Sequence, residues 1–203
     1  MVESGENNAV ATAADVLSFW RDAGTERWYK KNDGFDAEIR TRFLATYQSA
    51  AAGHLNDWAD TAEGALALLI VLDQFARNMF RHSAQAFAAD PLARRIADAA
   101  IARGFDRAVT GDMRQFFYLP LMHSEALADQ ERCVALIRAA ELTGNISFAE
   151  QHADIIRRFG RFPHRNAVLG RPSTPQELAF LEEPESLRDL LKVRRSMGDS
   201  GCR

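Results

Sequence analysis

The chain is poor in cysteine, glycine and proline, and it lacks a long apolar run. It has 2 Cys, 12 Gly and 6 Pro among 203 residues. So few turn-forming residues argue against an all-β sandwich, and the two cysteines give neither a disulfide framework nor a zinc spacing. The longest apolar run, residues 65–72, is far shorter than the roughly 20 residues of a membrane-spanning helix. We therefore expect a reduced, cytoplasmic protein that does not cross a membrane.

The charge is nearly balanced overall but uneven along the chain. With 25 Lys and Arg against 28 Asp and Glu, the net charge is -3, which excludes a general nucleic-acid or membrane-surface binder. The stretch Arg157–Arg171, however, contains five arginines and no acid. Arginines interleaved with Phe159 and Phe162 could hold a carboxylate or a phosphate through forked hydrogen bonds. They could equally cap helix ends and pair with acids elsewhere, while stacking on nucleic-acid bases is the weakest alternative.

The hydrophobic periodicity is helical almost throughout, and no strand pattern competes with it. We predict one all-α domain over residues 1–191, built of antiparallel helices, and a disordered tail over residues 192–203. The first four predicted helices run from Thr12 to Gly24, from Asp36 to Gly53, from Thr61 to Phe80, and from Asp90 as N-cap to Gly104. The fifth begins at Asp112 and is kinked or broken at Pro120. The others run from Asp129 to Gly144, from a Ser147–Glu150 capping box to Gly160, and from Thr174 onward. Arg161–Pro172 is predicted to be a loop.

Several polar residues interrupt apolar helix faces, and these are the candidates for a site. Asp73 and Arg77 continue the apolar stripe of the third predicted helix and are four residues apart, so they can pair on one face. They form either a partly buried ion pair or part of a ligand site. Asn78 and Arg81 extend the same polar stretch.

His123 lies on an apolar face just after Pro120, where a bent helix often forms a pocket wall. It is either a core histidine or a functional one, and Glu125 or Asp73 could act with it as a general acid and base. Although His123, Glu125, His152 and His164 are suitable metal ligands, their spacing matches no recognised metal motif. The chain also has no glycine-rich phosphate loop and no dinucleotide fingerprint, so we expect neither a metal nor a cofactor.

These segments resemble the DUF924 family of bacterial proteins of unknown function. The resemblance rests on VLSFW at 16–20, LDQFARNMFR at 72–81, FFYLPLMHSE at 116–125, DQERCV at 129–134 and RFGRFPHRNAVLGRPSTPQE at 158–177. Ala76 and Ala153 depart from it, since the family usually has proline and arginine there. The resemblance implies an all-α, tetratricopeptide-like superhelix of antiparallel helix pairs, but no activity.

The first hypothesis for function is a groove that binds a small anionic ligand or a peptide carboxylate. The residues predicted to line it are Arg77, Asn78, Arg81, His123, Glu125, Arg158, Arg161, His164 and Arg165. The alternative is a hydrolase or transferase that uses His123 and Glu125 as acid and base. A third hypothesis is a protein–protein interaction scaffold, in which carboxylates of the same chain pair with all of these arginines.

Overall fold

A computed structural model describes residues 9–183 of the chain, which contain ten α-helices and no strand. The all-α prediction is therefore confirmed. The helices are α1 (Ala13–Trp28), α2 (Asp33–Ala51), α3 (Ala62–Leu69), α4 (Ala76–Met79), α5 (Asp90–Ala102), α6 (Phe105–Ala108), α7 (Leu119–Met122), α8 (Leu127–Ala139), α9 (Thr143–Phe159) and α10 (Pro175–Glu182). Short 3₁₀ turns lie at Asn56–Asp60, Ala84–Phe87, Gly111–Phe117 and Pro163–Arg165.

Capping residues fix several helix ends where the sequence indicates them. Thr12 forms a capping box with Asp15 at the start of α1, and Thr174 forms one with Glu177 at the start of α10. Gly53 and Gly104 follow α2 and α5 with φ values of 81° and 74°, a left-handed conformation that glycine adopts without steric cost. The break predicted at Pro120 is also observed, because a 3₁₀ turn ends at Phe117 and α7 begins at Leu119.

The predicted starts of two other helices are wrong. Helix α2 begins at Asp33 rather than Asp36, since the side chain of Asn32 accepts the amide of Phe35. Asp90 lies inside the first turn of α5 instead of capping it, and its carboxylate binds an arginine. By contrast, the predicted end of the first helix at Gly24 is confirmed, because Gly24 is non-helical at φ 67° and its kink separates this helix from a short helical stretch up to Trp28.

The predicted boundary between α8 and α9 is wrong as well. Helix α8 ends at Ala139, and the turn after it is made by Glu141 at φ 56° rather than by Gly144. Helix α9 already begins at Thr143, so Ser147 lies inside it and forms no capping box. Glu150, the other half of that predicted box, instead pairs with Arg138 on α8.

The third predicted helix is continuous from Ala62 to Met79, but its middle turn, Ile70–Phe75, is a π-helix. A π-turn inserts an extra residue into the helix and is frequent at functional sites. All six of its residues are buried. Asp73 is one of them, so the π-turn presents a carboxylate to the interior of the protein.

The core is built mainly from aromatic and aliphatic side chains of α1 to α9. Phe19, Trp20, Phe43 and Phe75 form a continuous set of ring contacts at its centre. A smaller apolar cluster consists of Ile155, Ile156, Phe162 and Phe180. Phe162 belongs to the stretch Arg157–Arg171, which we call the arginine-rich segment. The tetratricopeptide-like superhelix and the single domain over residues 1–191 stay predictions, and the predicted tail, residues 192–203, lies outside the described residues.

Candidate functional site

Asp73 is the centre of a buried polar network. The residue is only 1% exposed, and its carboxylate oxygens lie 2.8 and 2.9 Å from Nδ1 of His123. Arg77, one turn further along, approaches Asp73 to 3.0 Å, and the side-chain amide of Gln74 donates to it at 2.5 Å. The pairing of Asp73 with Arg77 that the four-residue spacing indicates is therefore present, and it includes a histidine from another element.

Two arginines connect this network to α5 and to the arginine-rich segment. Arg77 donates two hydrogen bonds to Asp90, at 3.0 and 3.1 Å. Arg165 approaches Asp90 to 3.7 Å and donates to the backbone oxygen of His123 at 3.0 Å. Arg77, His123 and Arg165 are thus adjacent in space, as a shared site requires.

His152, His164 and Arg165 surround Phe162, and His123 lies beside His152. We call His123, His152, His164 and Arg165 the histidine–arginine cluster. The rings of His152 and His164 each lie 5.5 Å from the ring of Phe162. The guanidinium of Arg165 lies 4.4 Å from the same ring, and the rings of His123 and His152 are 6.4 Å apart. Three of the chain's five histidines are therefore concentrated at one site.

Burial and neighbouring charge keep these histidines neutral. Burial, reinforced by His123, lowers the pKa of His152 to about 3. Burial and the charge of Arg165 lower the pKa of His164 to about 4. Burial also lowers the pKa of His123, although Asp73 opposes this shift. At neutral pH the three imidazoles are therefore uncharged, and each has one nitrogen that donates and one that accepts.

The charged residues of the network remain ionised. Burial opposes the negative charge of Asp73, but Arg77 and His123 outweigh it and hold the pKa of Asp73 at about 2. Arg165 is 6% exposed, and burial together with Arg77 lowers its pKa to about 10. A guanidinium therefore keeps its positive charge among three neutral imidazoles.

Two polar atoms of the cluster are buried without a hydrogen-bond partner within residues 9–183. They are Nδ1 of His164 and Nε of Arg165. Most buried polar groups in proteins have a partner, and leaving one unpaired costs about 1–3 kcal/mol. The two atoms belong to neighbouring residues on the 3₁₀ turn Pro163–Arg165.

Glu125 makes its hydrogen bonds to the arginine-rich segment. It accepts two from Arg171, at 2.7 and 2.9 Å, and one from the backbone amide of Phe162 at 2.8 Å. Burial raises the pKa of Glu125, but the hydrogen bonds from Arg171 and Phe162 outweigh burial. The pKa of Glu125 is therefore below its ordinary value. The carboxylate hydrogen-bonded to His123 is that of Asp73, and Glu125 anchors the loop.

The remaining residues predicted to line the groove bind other parts of the protein. Asn78 and Arg81 both donate to Asp36 on α2. Arg161 donates to Glu177 of α10 at 2.6 and 2.8 Å. Arg158 lies over the rings of Phe159 and Phe180. The structure therefore assembles a smaller site than the predicted groove.

Asp90 and Phe162 are among the residues of the site that the sequence does not predict to line the groove, together with His152 and Gln74. Asp90 precedes a proline, so the sequence favoured a helix cap over a partner for Arg77. The sequence shows Phe162 as an aromatic residue among arginines, and only the fold shows that it contacts His152, His164 and Arg165. The sequence signals of the two residues, a proline after Asp90 and arginines around Phe162, do not identify these partners.

A cleft of about 280 Å³ lies elsewhere, and none of the predicted site residues lines it. Its lining residues are Asp15, Ser18, Phe19, Asp22, Ala23, Arg27, Phe35, Glu38 and Arg42.

Within residues 9–183, no group of three or more His, Cys, Asp or Glu side chains is arranged to hold a metal ion. None of the helices in that range has the length and apolar character needed to cross a membrane.

The fold and the site define an all-helical protein with a buried cluster of histidine, arginine and carboxylate side chains. The chain belongs to the DUF924 family, described as bacterial protein of unknown function, whose model matches residues 16–185. It is similar to a solved structure of a protein of unknown function, ATU0120 from Agrobacterium tumefaciens, with 48% sequence identity and a TM-score of 0.82. That similarity covers 84% of this chain and 97% of the other. None of the curated proteins compared with the chain matches it.

Proposed function

We propose that the protein binds a small anion, a carboxylate or a phosphate, at the histidine–arginine cluster. The observation that carries the proposal is a pair of buried polar atoms, Nε of Arg165 and Nδ1 of His164, that have no partner within residues 9–183. An oxygen of a bound anion would accept a hydrogen bond from Arg165, and from His164 when its proton is on Nδ1. Such charge-assisted bonds are about twice as strong as bonds between neutral groups.

The setting of Arg165 favours an anion over a neutral ligand. Its guanidinium lies between the rings of Phe87 and Phe162, at 4.7 and 4.4 Å, which fixes its plane and limits its contact with water. Burial and the nearby Arg77 lower the pKa of Arg165, so the positive charge is destabilised there. An anion beside Arg165 would offset that cost, as paired charges do in protein interiors.

The proposed ligand is small because most of the predicted arginines already have carboxylate partners. Arg77 binds Asp73 and Asp90, Arg161 binds Glu177, and Arg81 binds Asp36. A long anionic peptide would have to compete with these pairs. One carboxylate or phosphate group at Arg165 would compete with a longer contact, the 3.7 Å approach of Asp90.

Titration calorimetry with orthophosphate and with succinate tests the proposal. We expect the wild type to bind at least one of them. Arg165→Lys keeps the charge but removes the Nε donor, so affinity should fall about tenfold or more, which corresponds to one lost hydrogen bond to a charged group. The matched control is Arg157→Lys, in an exposed pair with Asp154 in the same segment, and it should bind as the wild type does. Equal affinity of the two variants would contradict the proposal.

A scaffold that binds another protein is the second candidate. The observation in its favour is the same set of internal ion pairs, because arginines engaged by Asp36, Asp90, Glu125 and Glu177 stabilise the fold without any ligand. This candidate predicts that neither orthophosphate nor succinate binds the wild type.

A further inference from the structure

We infer that His123 is a nucleophile that accepts a phosphoryl group on Nε2, with Asp73 as its positioning residue. The inference rests on the proposed function, since it takes the bound anion to be the phosphoryl group of an acyl phosphate. It adds a reaction to what is otherwise a binding site.

The first support is the geometry of the imidazole. Both oxygens of Asp73 lie within 2.9 Å of Nδ1 of His123, so the proton of the neutral ring is held on Nδ1. The lone pair of the ring is then on Nε2, at the opposite edge. The side chain keeps 17% of its surface exposed, whereas that of Asp73 keeps 2%. The carboxylate is therefore placed to orient the ring, and the ring is placed to react.

The second support is the set of charged and titratable groups that faces His123. Asp73 and Arg77 face it from the helix that contains the π-turn, and their charges act on it in opposite directions. Arg165 and His164 face it from the 3₁₀ turn, and His152 from α9. Burial and these cations keep the ring neutral, which is the nucleophilic form of histidine. Arg165 is also the group best suited to hold phosphoryl oxygens.

The third support is that neighbouring hydroxyl and thiol groups are unsuited to attack. The hydroxyl of Ser124 donates to Asp129 at 2.6 Å and accepts from Arg94 at 2.7 Å. Cys133 is buried, and burial raises its pKa to about 12, so it is not a thiolate at neutral pH. The imidazole of His123 is the better nucleophile of the three.

The proposed step needs no reactant beyond the phosphoryl donor. With acetyl phosphate, the lone pair of Nε2 forms a bond to phosphorus while the bond between phosphorus and the bridging oxygen breaks. Acetate leaves with that electron pair and needs no proton. The ring becomes positively charged, its Nδ1 proton stays hydrogen-bonded to Asp73, and the carboxylate stabilises the new charge. Attack by water on phosphorus would later return orthophosphate and the neutral imidazole.

The test is to incubate the full-length chain with acetyl phosphate and to follow its intact mass. We expect one added phosphoryl group, labile in acid and stable in base as a phosphorus–nitrogen bond is, and located on His123 by fragmentation. His123→Asn should abolish the adduct. The asparagine amide can still donate to Asp73, but it has no basic nitrogen to replace Nε2. His54→Asn, at an exposed histidine, is the matched control and should react as the wild type does.

The role of Asp73 is tested separately, with Asp73→Asn and the pH profile of the reaction. Loss of the carboxylate should slow phosphoryl transfer at least about tenfold and move the acid limb of the profile to lower pH, because Asp73 favours the protonated ring. Thermal unfolding checks that each variant is folded. A merely structural role for Asp73 would leave the acid limb of the profile in place.

Orthophosphate binding, measured on the same samples, separates the two claims. If orthophosphate binds and no phosphoryl group is transferred, or if the adduct forms on His54 as readily as on His123, the inference is wrong and the binding proposal stands. If orthophosphate does not bind and no adduct forms, both the binding of phosphate at the cluster and the phosphoryl transfer to His123 are wrong.

Discussion

Nδ1 of His123 lies 2.8 Å from Oδ1 of Asp73, although the two residues are 50 positions apart in the chain. The carboxylate comes from a π-turn in the middle of a buried helix, and the imidazole follows directly after α7. This contact joins the two polar interruptions of the apolar pattern into one site. It also brings His123 beside Arg165 and His152, where the anion is proposed to bind.

Removal of the buried carboxylate should destabilise the protein strongly. Asp73→Asn leaves Arg77 and His123 without their shared anionic partner, so we expect the free energy of unfolding to fall by about 3 kcal/mol. The measurement is chemical denaturation at neutral pH. Glu38→Gln removes the exposed pair with Arg42 and should cost less than about 1 kcal/mol. Similar losses in the two variants would show that the Asp73 network adds no more to stability than a surface pair.

Stability should fall as the pH is lowered through the range of a normal histidine. The pKa of His152 is about 3 in the folded protein and about 6.5 in an unfolded chain. The unfolded state therefore binds a proton first, and the stability gained by burying a neutral ring is full above about pH 6.5 and declines below it. From pH 7.5 to pH 5.0, His152 alone should contribute a loss of about 2 kcal/mol.

The same denaturation experiment at the two pH values checks this expectation. His152→Gln should have a smaller difference between pH 7.5 and pH 5.0 than the wild type, because it removes one of the buried titrating rings. His54→Gln, at an exposed position, should keep the full difference. The pKa values of Asp73, Glu125 and Glu177 are all shifted downward. Protonation of these acids therefore lowers stability mainly below about pH 5.0. An unchanged difference in His152→Gln would contradict the burial of a neutral ring.

Glu125 should hold the arginine-rich segment in place. Glu125→Ala removes the acceptor for Arg171 and for the amide of Phe162. Because charge-assisted hydrogen bonds contribute about 1.5 kcal/mol or more each, amide hydrogen exchange in residues 161–172 should speed up about tenfold or more. Glu150→Ala, which removes an exposed pair with Arg138, should leave that segment's exchange unchanged. Equal exchange rates in both variants would rule out an anchoring role for Glu125.

Gly64 should not tolerate a side chain, for steric reasons that are independent of the site. A Cβ atom at this position would lie 2.1 Å from the backbone oxygen of Trp58. Gly64→Ala should therefore cost about 3 kcal/mol in the free energy of unfolding. At Gly34, also in a helix, the nearest atom would be 3.4 Å away, so Gly34→Ala should be neutral or stabilise by about 0.5 kcal/mol. Similar effects of the two substitutions in thermal denaturation would contradict the close approach at Gly64.

The sequence predicts local features of the fold well and long-range polar contacts poorly. The pairing of Asp73 with Arg77 follows from helical spacing, and the break at Pro120 follows from the missing amide of proline. The π-turn does not follow from the sequence, because one extra residue in a helix leaves no mark in an apolar run such as residues 65–72. The sequence predicts Asp90 as a helix cap, because a cap depends on local sequence. Its pairing with Arg77 depends on how the helices pack, which the sequence does not show.

The sequence identifies the residue types of the candidate site, and the structure shows which of these residues lie together. Arg77, His123 and Arg165 do lie together, since carboxylates and backbone oxygens link them. Arg81 and Arg161 turn instead to Asp36 and Glu177. Charge composition predicts that arginines will find acids, but only the packing of the helices decides which acids they find.

The most direct test of anion binding is a nitrogen-15 NMR titration of the imidazole rings with orthophosphate at pH 7. We expect the ring nitrogens of His123, His152 and His164 to shift together on a single saturating curve, while those of His54 and His82 do not move. Arg165→Lys should weaken binding in this titration about tenfold or more. If the three rings of the cluster stay unchanged at saturating orthophosphate and succinate, or if all five rings shift alike, the cluster is not an anion site.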